Sequence, residues 1–348
     1  MDSELSFSPS EGRTPEGLSP GSRLGDRRER VCDKEAQVFE GSRARQTGRP
    51  MAADADVLAI CVNWNGKEVL GPALRALFAS TYRPLGVVVV DNASSDDSLL
   101  SVPAEAEIVR MEQNRGYGAA INRIWQEVRS GKRACPRYYL LLNNDVLVDP
   151  EMISLLVGYA AGKEPAIYGP KILQWHHRDR LDMAWGCLRW HHVLADFEGK
   201  EARDGPAWSE VREVDVLQGS ALLLDAAVVN SVGFFDEQFF MYHEEVDFLY
   251  RASLKGCRSY YCPFAKAFHW GAHSTRKTPL QKTFWTRRNA VYFMRKHHAG
   301  TARWPYFWTT LAGSISYNLL SLNWKRTQAI VSGVRAGLKM PVARQGEN

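Results

Sequence analysis

The chain has no run of about 18 apolar residues, the length a helix needs to cross a bilayer, which argues against a transmembrane span. An apolar signal core is also missing near the N-terminus, so export by that route is not expected. Cysteine is scarce and unpatterned. Cys32, Cys61, Cys135, Cys187, Cys257 and Cys262 form no Cys-x-x-Cys pair, which excludes a disulfide framework or a thiolate zinc site and leaves reduced intracellular thiols. The glycine fingerprint of a dinucleotide fold is absent too. The first apolar run is followed by Asn63-Trp64-Asn65-Gly66, and Gly116-Tyr117-Gly118 has Ile121 where a third small residue belongs, so nicotinamide chemistry is excluded.

What is present is an ordinary globular composition over 348 residues, 45% hydrophobic and 24% charged, which excludes a wholly disordered or collagen-like chain. The net charge of +5 is unevenly spread. Residues 1–50 carry nine charges of each sign, 51–275 carry 22 basic against 29 acidic residues, and 276–348 carry 13 basic residues against Glu347 alone. An acidic body with a basic, aromatic-rich tail suggests a cation-dependent site and a separate surface for an anionic partner; a solvated basic helix explains the tail charge equally well.

Three regions follow. Residues 1–50, rich in Ser, Gly, Pro, Arg and Glu, bury too little apolar surface to offset the entropy of ordering and are expected to be disordered, with Met51 as the expected true start. From Val57 to residue 275 buried runs alternate with helical stretches. Val57–Val62, Val87–Val90, Ile108–Met111 and Tyr138–Leu142 are predicted strands; Lys67–Ala79, Tyr117–Val128 and Met152–Tyr159 are predicted helices, the last opened by Pro150. The alternation indicates a βαβ series and a mainly parallel central sheet, with ligands beyond the carboxyl ends of its strands. Residues 174–212 are less regular and are expected to lie as an insertion over the site. Its His176-His177 and His191-His192 pairs, adjacent in sequence, are expected to be surface histidines and not shared metal ligands. Residues 276–348 form a basic, aromatic-rich helical extension.

Polar residues follow four consecutive strands: Asn63-Trp64-Asn65, Asp91-Asn92, Asn114-Arg115 and Asn143-Asn144-Asp145. Asp91 is placed to accept hydrogen bonds from a base or ribose; its alternative is a helix cap, a role that Ser94 or Ser95 fills better. Asn143-Asn144-Asp145 reads either as a turn or as a carboxylate that binds a divalent cation together with a diphosphate. In His243-Glu244-Glu245-Val246-Asp247 the crowded acids either favour a helix N-terminus or raise one another's pKa, as suits a general base. The stretch is not a zinc-protease motif, since Asp247 stands where a second His is required. His269 follows an apolar run and reads as a packed side chain or a site imidazole.

In order along residues 57–298, seven words resemble the inverting glycosyltransferases of family 2, most nearly their bacterial rhamnosyltransferase-like branch. They are Val90 to Asp96, Asn114 to Gly118, Leu142 to Asp145, Gln218 to Leu223, Val232 to Phe240, Glu244 to Asp247, and His269 to Ser274. The resemblance implies the GT-A fold, an α/β nucleotide-diphospho-sugar transferase architecture, and a nucleoside-diphosphate sugar as donor. It implies that Asp91, with Asn65, Asn114, Arg115, Asn143 and Asn144, lines the nucleotide-sugar site, and that Asp145 and His269 serve Mg2+ or Mn2+ at the diphosphate. Glu245 is implied as catalytic base with Glu244 as the alternative, and Gly219 and Ser220 as neighbours of the transferred sugar or acceptor. Two positions depart from the family pattern: Asn143 replaces the first Asp of the metal motif, and Glu245 replaces the usual base Asp.

The expected acceptor is a glycan or lipid-linked hydroxyl, not a nucleic acid. Arg303-Trp304-Pro305-Tyr306-Phe307-Trp308, leading into Leu311–Leu322 and Lys325-Arg326, suits an interfacial helix on anionic lipid at the inner face of the cell membrane; packing on the catalytic domain explains the same apolar residues. Two other classes are weighed. A nucleotidyltransferase needs a Gly-rich phosphate loop after the first strand, which Asn63-Trp64-Asn65-Gly66 is not. A non-catalytic sugar-nucleotide or glycan binder would keep Asp91 and lose the base, whereas Glu244, Glu245, Asp145 and His269 are all present.

Overall fold

Continuous apolar runs need both faces covered, and here they are. The computed structural model describes residues 56–271, 279–298 and 300–342. The stretch 1–50, Met51, His273 and Ser274 lie outside these residues.

The first half is a parallel ribbon. Strands β1 (Val57–Asn63), β2 (Leu85–Asp91), β3 (Glu107–Arg110) and β4 (Tyr138–Asn143) pair in the order β4-β1-β2-β3, with α1 (Leu70–Phe78) and α2 (Tyr117–Arg129) as crossovers. The register sets Asn63 beside Asp91 and Val62 beside Asn143, so the polar ends of three strands share one rim. Alternate residues of β1 feed two cores: Leu58, Ile60 and Val62 face α2, while Val57, Ala59 and Cys61 face α1.

The second half widens the sheet. It contains β5 (Val146–Val148), α3 (Met152–Ala160), β6 (Ala166–Gln174), β7 (Leu181–Met183), the hairpin β8 (Gly186–Leu188) and β9 (Ala195–Phe197), then β10 (Arg212–Glu213), β11 (Ala221–Asp225), α4 (Ala226–Val232), α5 (Glu244–Leu254) and β12 (Arg258–His269). Strand β11 runs antiparallel between β4 and β6, and β6 pairs parallel with β12. The irregular region 174–212 is therefore an insertion tied to the sheet by β7, with Trp185 packed on Tyr261.

Three helices close the described chain: α6 (Pro279–His298), α7 (Arg303–Leu320) and α8 (Trp324–Lys339). Ala290–Met294 of α6 are buried in the same core as Phe234 and Phe248, so this helix is integral to the fold. Asp247 on α5 fastens it. That fully buried carboxylate meets Arg251 at 2.7 Å, His297 at 2.7 Å and Lys296 at 2.9 Å. Burial alone would raise its pKa, but the His297 bond and the cationic neighbours hold it well below the usual carboxylate range. Helix α7 is different: Phe307 and Leu311 are buried, while Tyr317 and Leu320 are 70% and 85% exposed. No helix among the described residues is long and apolar enough to cross a membrane.

Candidate active site

Asn63 organises the rim. Its amide nitrogen donates to Asp91 Oδ1 at 3.1 Å and lies 3.1 and 2.9 Å from the hydroxyls of Ser94 and Ser98; its amide oxygen accepts from Asn144 at 2.8 Å. The second oxygen of Asp91 accepts from the Ser94 backbone at 3.3 Å. Asn65 accepts from the Ser95 backbone at 2.8 Å, fixing the loop beside Asp91. One strand over, Asn92 donates to Asn114 Oδ1 at 3.0 Å and accepts from the Arg115 backbone at 3.1 Å. Gly116 follows at φ 90°, where a side chain would collide with the Phe240 carbonyl. Its glycine lets Tyr117 N–H reach that carbonyl at 3.0 Å and join the rim to the loop before α5.

Beyond β4 the chain turns through Asn143 and Asn144 into buried Asp145. His269, at the end of β12, bridges two carboxylates, with Nε2 3.2 Å from Asp145 Oδ1 and Nδ1 2.8 Å from Asp182 Oδ2. Gln218 donates to the same Asp182 oxygen at 2.5 Å. Burial opposes a charged imidazole, yet Asp145 and Asp182 outweigh it and push His269 up to about 10. Asp182 comes from the insertion, so residues 174–212 supply this cluster with a side chain that no local pattern marked. Of the histidines expected at the surface, His176 and His177 are exposed, but His191 and His192 are half-buried. His192 is held under α6, its carbonyl accepting from Arg287 at 3.3 Å.

The acidic pair opens α5 opposite. Glu244 is buried, its Oε2 without a hydrogen-bond partner among the described residues, and burial with the adjacent Glu245 charge raises its pKa well above the ordinary value. Glu245 is only half-buried, and burial raises its pKa too. Gly219 lies against it: a β-carbon there would sit 3.3 Å from Glu245 Cβ and Cγ. Next door, Ser220 is buried with its hydroxyl unpartnered among the described residues, while its carbonyl accepts from Asn143 N–H at 3.0 Å. Tyr117 is the shared neighbour. Its hydroxyl is 3.5 Å from the Gly219 carbonyl, and burial followed by the charges of Glu244, Glu245 and Asp145 raises its pKa.

The loop carrying this pair has left-handed backbone at Phe240, Tyr242 and His243 (φ 61°, 68° and 69°). It is held from α6. Asn289 Nδ2 lies 2.9, 2.8 and 2.7 Å from the carbonyls of Phe239, Met241 and Tyr242, and Arg288 donates to Phe239 at 2.8 Å. Sequence reading missed Asn289, Asp182 and the bridging role of Tyr117, each of which acts across a distance in sequence. Arg115, which the resemblance places at the nucleotide-sugar site, pairs its guanidinium with Glu237 at 2.8 Å. Among the described residues no three His, Cys, Asp or Glu side chains cluster to enclose a metal by themselves.

The parallel ribbon widened by an antiparallel strand, with helices on both faces, is the GT-A fold of glycosyltransferases. The chain matches the family described as Glycosyltransferase like family 2 over residues 54–292, and belongs to it. It is a glycosyltransferase. N-acetylglucosaminyl-diphospho-decaprenol L-rhamnosyltransferase of Mycobacterium tuberculosis is 30% identical over 287 residues, 75% of this chain and 91% of that protein. Low-salt glycan biosynthesis hexosyltransferase Agl10 of Haloferax volcanii is 27% identical over 62% of this chain and 67% of that one. Rhamnosyltransferase WbbL of Escherichia coli is 28% identical over 46% of this chain and 62% of that one. Among solved structures, GalNAc-T7 with UDP, GalNAc and Mn2+ superposes with a TM-score of 0.52 at 14% identity. The match covers 70% of this chain and 48% of GalNAc-T7, and it bears on the fold alone.

Proposed function

We propose that the protein transfers a hexosyl or deoxyhexosyl group, rhamnose foremost, from a nucleoside-diphosphate donor to a hydroxyl of a glycan or lipid-linked cell-envelope acceptor, with inversion. The observation that carries this reading is the run of contacts from Glu245 through Gly219 and Ser220 to Asn143, in the turn that ends at Asp145, with the Tyr117 hydroxyl against the Gly219 carbonyl. A donor-side carboxylate and an acceptor-side base thus flank one space.

In this reading Asp91 receives the base or ribose, and Asn65, Asn114, Asn143 and Asn144 hold the rim on which the nucleotide rests. The metal residues fit a cation shared with the donor. Asp182 takes the Nδ1 side of His269 and aims Nε2 at Asp145, the outer-shell orientation of a histidine that ligates metal. Asp145 and His269 would hold Mg2+ or Mn2+, the diphosphate oxygens completing the site. Such an ion neutralises charge on the departing diphosphate. Ser220 offers its unpartnered hydroxyl to the transferred sugar. Glu245, the more open acid, takes the proton of the acceptor hydroxyl as that oxygen bonds to the anomeric carbon, while the bond to the diphosphate breaks on the opposite face. Glu244, buried beside it with its pKa raised by burial and by the Glu245 charge, disfavours a second negative charge at the pair.

Helix α7 supplies the surface for a lipid-linked acceptor. Tyr306 and Trp308 at its start and Tyr317 and Leu320 at its end are exposed, with Lys325 and Arg326 just beyond, an arrangement suited to lying on anionic lipid. Flotation with anionic liposomes tests this: salt-sensitive recovery supports it, and none at low salt removes the membrane contact. The test of the central reading is a thermal-shift and donor-hydrolysis screen of sugar nucleotides with and without Mn2+ or Mg2+. Metal-dependent stabilisation by one donor is expected; a folded sample indifferent to every donor would overturn the proposal.

A further inference from the structure

Outside the rim, a second cavity of about 650 Å³ lies between the insertion, the start of α5, α6 and α8. Its basic wall is Lys282, Arg287, Arg326 and His243, beside the polar Thr283, Thr286 and Asn323, and Val193 and Leu280 contribute apolar surface. No acidic side chain is among the described residues that line it. Basic groups facing a common space repel one another, and no acid in the wall offsets the repulsion.

Two of these groups are buried and incompletely bonded. Arg287 is 7% exposed; one of its terminal nitrogens donates to the His192 carbonyl, while Nε has no partner among the described residues. Burial and the nearby Arg326 hold its pKa down to about 10. His243 is 9% exposed, and burial with the nearby Arg287 charge holds its pKa down to about 4, so it is a neutral wall residue. A buried donor with no acceptor costs free energy, so Arg287 Nε points to a ligand that supplies acceptor oxygens. Phosphate oxygens meet guanidinium geometry best.

We propose that this cavity binds the diphosphate of a lipid-linked acceptor, with the first apolar units of its lipid lying along Val193 and Leu280. The inference rests on the transferase reading for the word acceptor, and on the cavity itself for the anion. It deepens that reading through one connection in the chain. His243, which lines the cavity, immediately precedes Glu244 and Glu245, so a diphosphate held at Arg287 would direct the sugar it carries toward the acidic pair. Exposed apolar residues of α7 would then meet the lipid beyond. The size agrees: cavities of about 300–1,000 Å³ take ligands of this bulk.

Calorimetric titration of the full chain in EDTA, which removes any metal-dependent donor binding, tests the proposal with three probes: farnesyl diphosphate, inorganic pyrophosphate and farnesol. Farnesyl diphosphate is expected to bind more tightly than pyrophosphate, and farnesol not to bind. Arg326→Glu, on an exposed turn of α8, should weaken farnesyl diphosphate about tenfold or more, the loss of a charge-assisted contact. Arg335→Glu, half a turn round the same helix, should not. Arg287→Gln should weaken binding further, read only after its melting curve shows a folded protein. Equal affinity in wild type and Arg326→Glu, or no binding by either, would overturn the site; pyrophosphate binding as tightly as the lipid diphosphate would overturn the lipid assignment. Failure of the enzymatic reading looks different: binding sensitive to Arg326→Glu, but no turnover of any sugar nucleotide, would keep the cavity and remove the transferase role.

Discussion

The two sides of the site treat buried polar groups in opposite ways. On the rim, Asn63, Asp91, Asn92 and Asn114 bond to one another and to nearby backbone. Across the space, Glu244 and Ser220 each keep a buried polar atom unpartnered among the described residues, as His243 and Arg287 do in the second cavity. The rim is finished before any ligand arrives; the facing side is left for a ligand to finish. A satisfied network adds rigidity, whereas an unsatisfied one lowers stability in exchange for affinity. The contrast even divides a single helix. Asp247 is held by Arg251, Lys296 and His297, while Glu244 and Glu245, within three residues of it, have no ion pair among the described residues and have raised pKa values.

The sharpest way to break this comparison is Glu245→Gln. Turnover is expected to fall about 10²–10⁴-fold with donor affinity retained and the melting temperature unchanged or higher, checked by single-turnover kinetics beside a thermal melt. Asp247→Asn should do the reverse, costing about 3–5 kcal/mol of folding stability because it leaves buried cations without their partner, as urea unfolding would show. The pH dependence follows from the same residue. Its folded pKa is depressed, so its stabilisation is present above the ordinary carboxylate pKa and is lost as pH falls through the folded value. Next in size, Asn63→Ala should cost about 1–3 kcal/mol by stranding Asp91 and Asn144, while Ser220→Ala should leave stability unchanged and raise the donor KM. The smallest effect sharpens the choice between the two glutamates. Activity should rise with pH through a limb above the ordinary glutamate range, since Glu245 must be deprotonated and its pKa is raised. Glu244→Gln should leave that limb in place; loss of the limb in that variant would move the base to Glu244.

The rim was legible because its parts are local. Three buried runs and one short apolar stretch announce β1 to β4, and a parallel sheet brings their polar ends together whatever else the chain does. Gly116 could be seen as part of a word that carries the family resemblance, but its reason, the Phe240 carbonyl, lies across the fold. The facing side was legible only as letters. Glu244-Glu245-Val246-Asp247 looks like one acidic cluster, yet the helical turn sends Asp247 to α6 and leaves the pair at the site. Asp182 sits in an aromatic-rich stretch with no period, and Asn289 in a basic helix whose charges dominate its pattern. Neither residue has a local signal, because each acts on a partner brought close by tertiary structure.

Asn289 has one more consequence. The three carbonyls it gathers set the loop that delivers Glu244 and Glu245, yet the amide itself comes from the helix after the last strand of the sheet. During synthesis every strand of the sheet therefore emerges before the helix that sets this loop. In the proposed reading, the two glutamates are the last part of the site to be aligned.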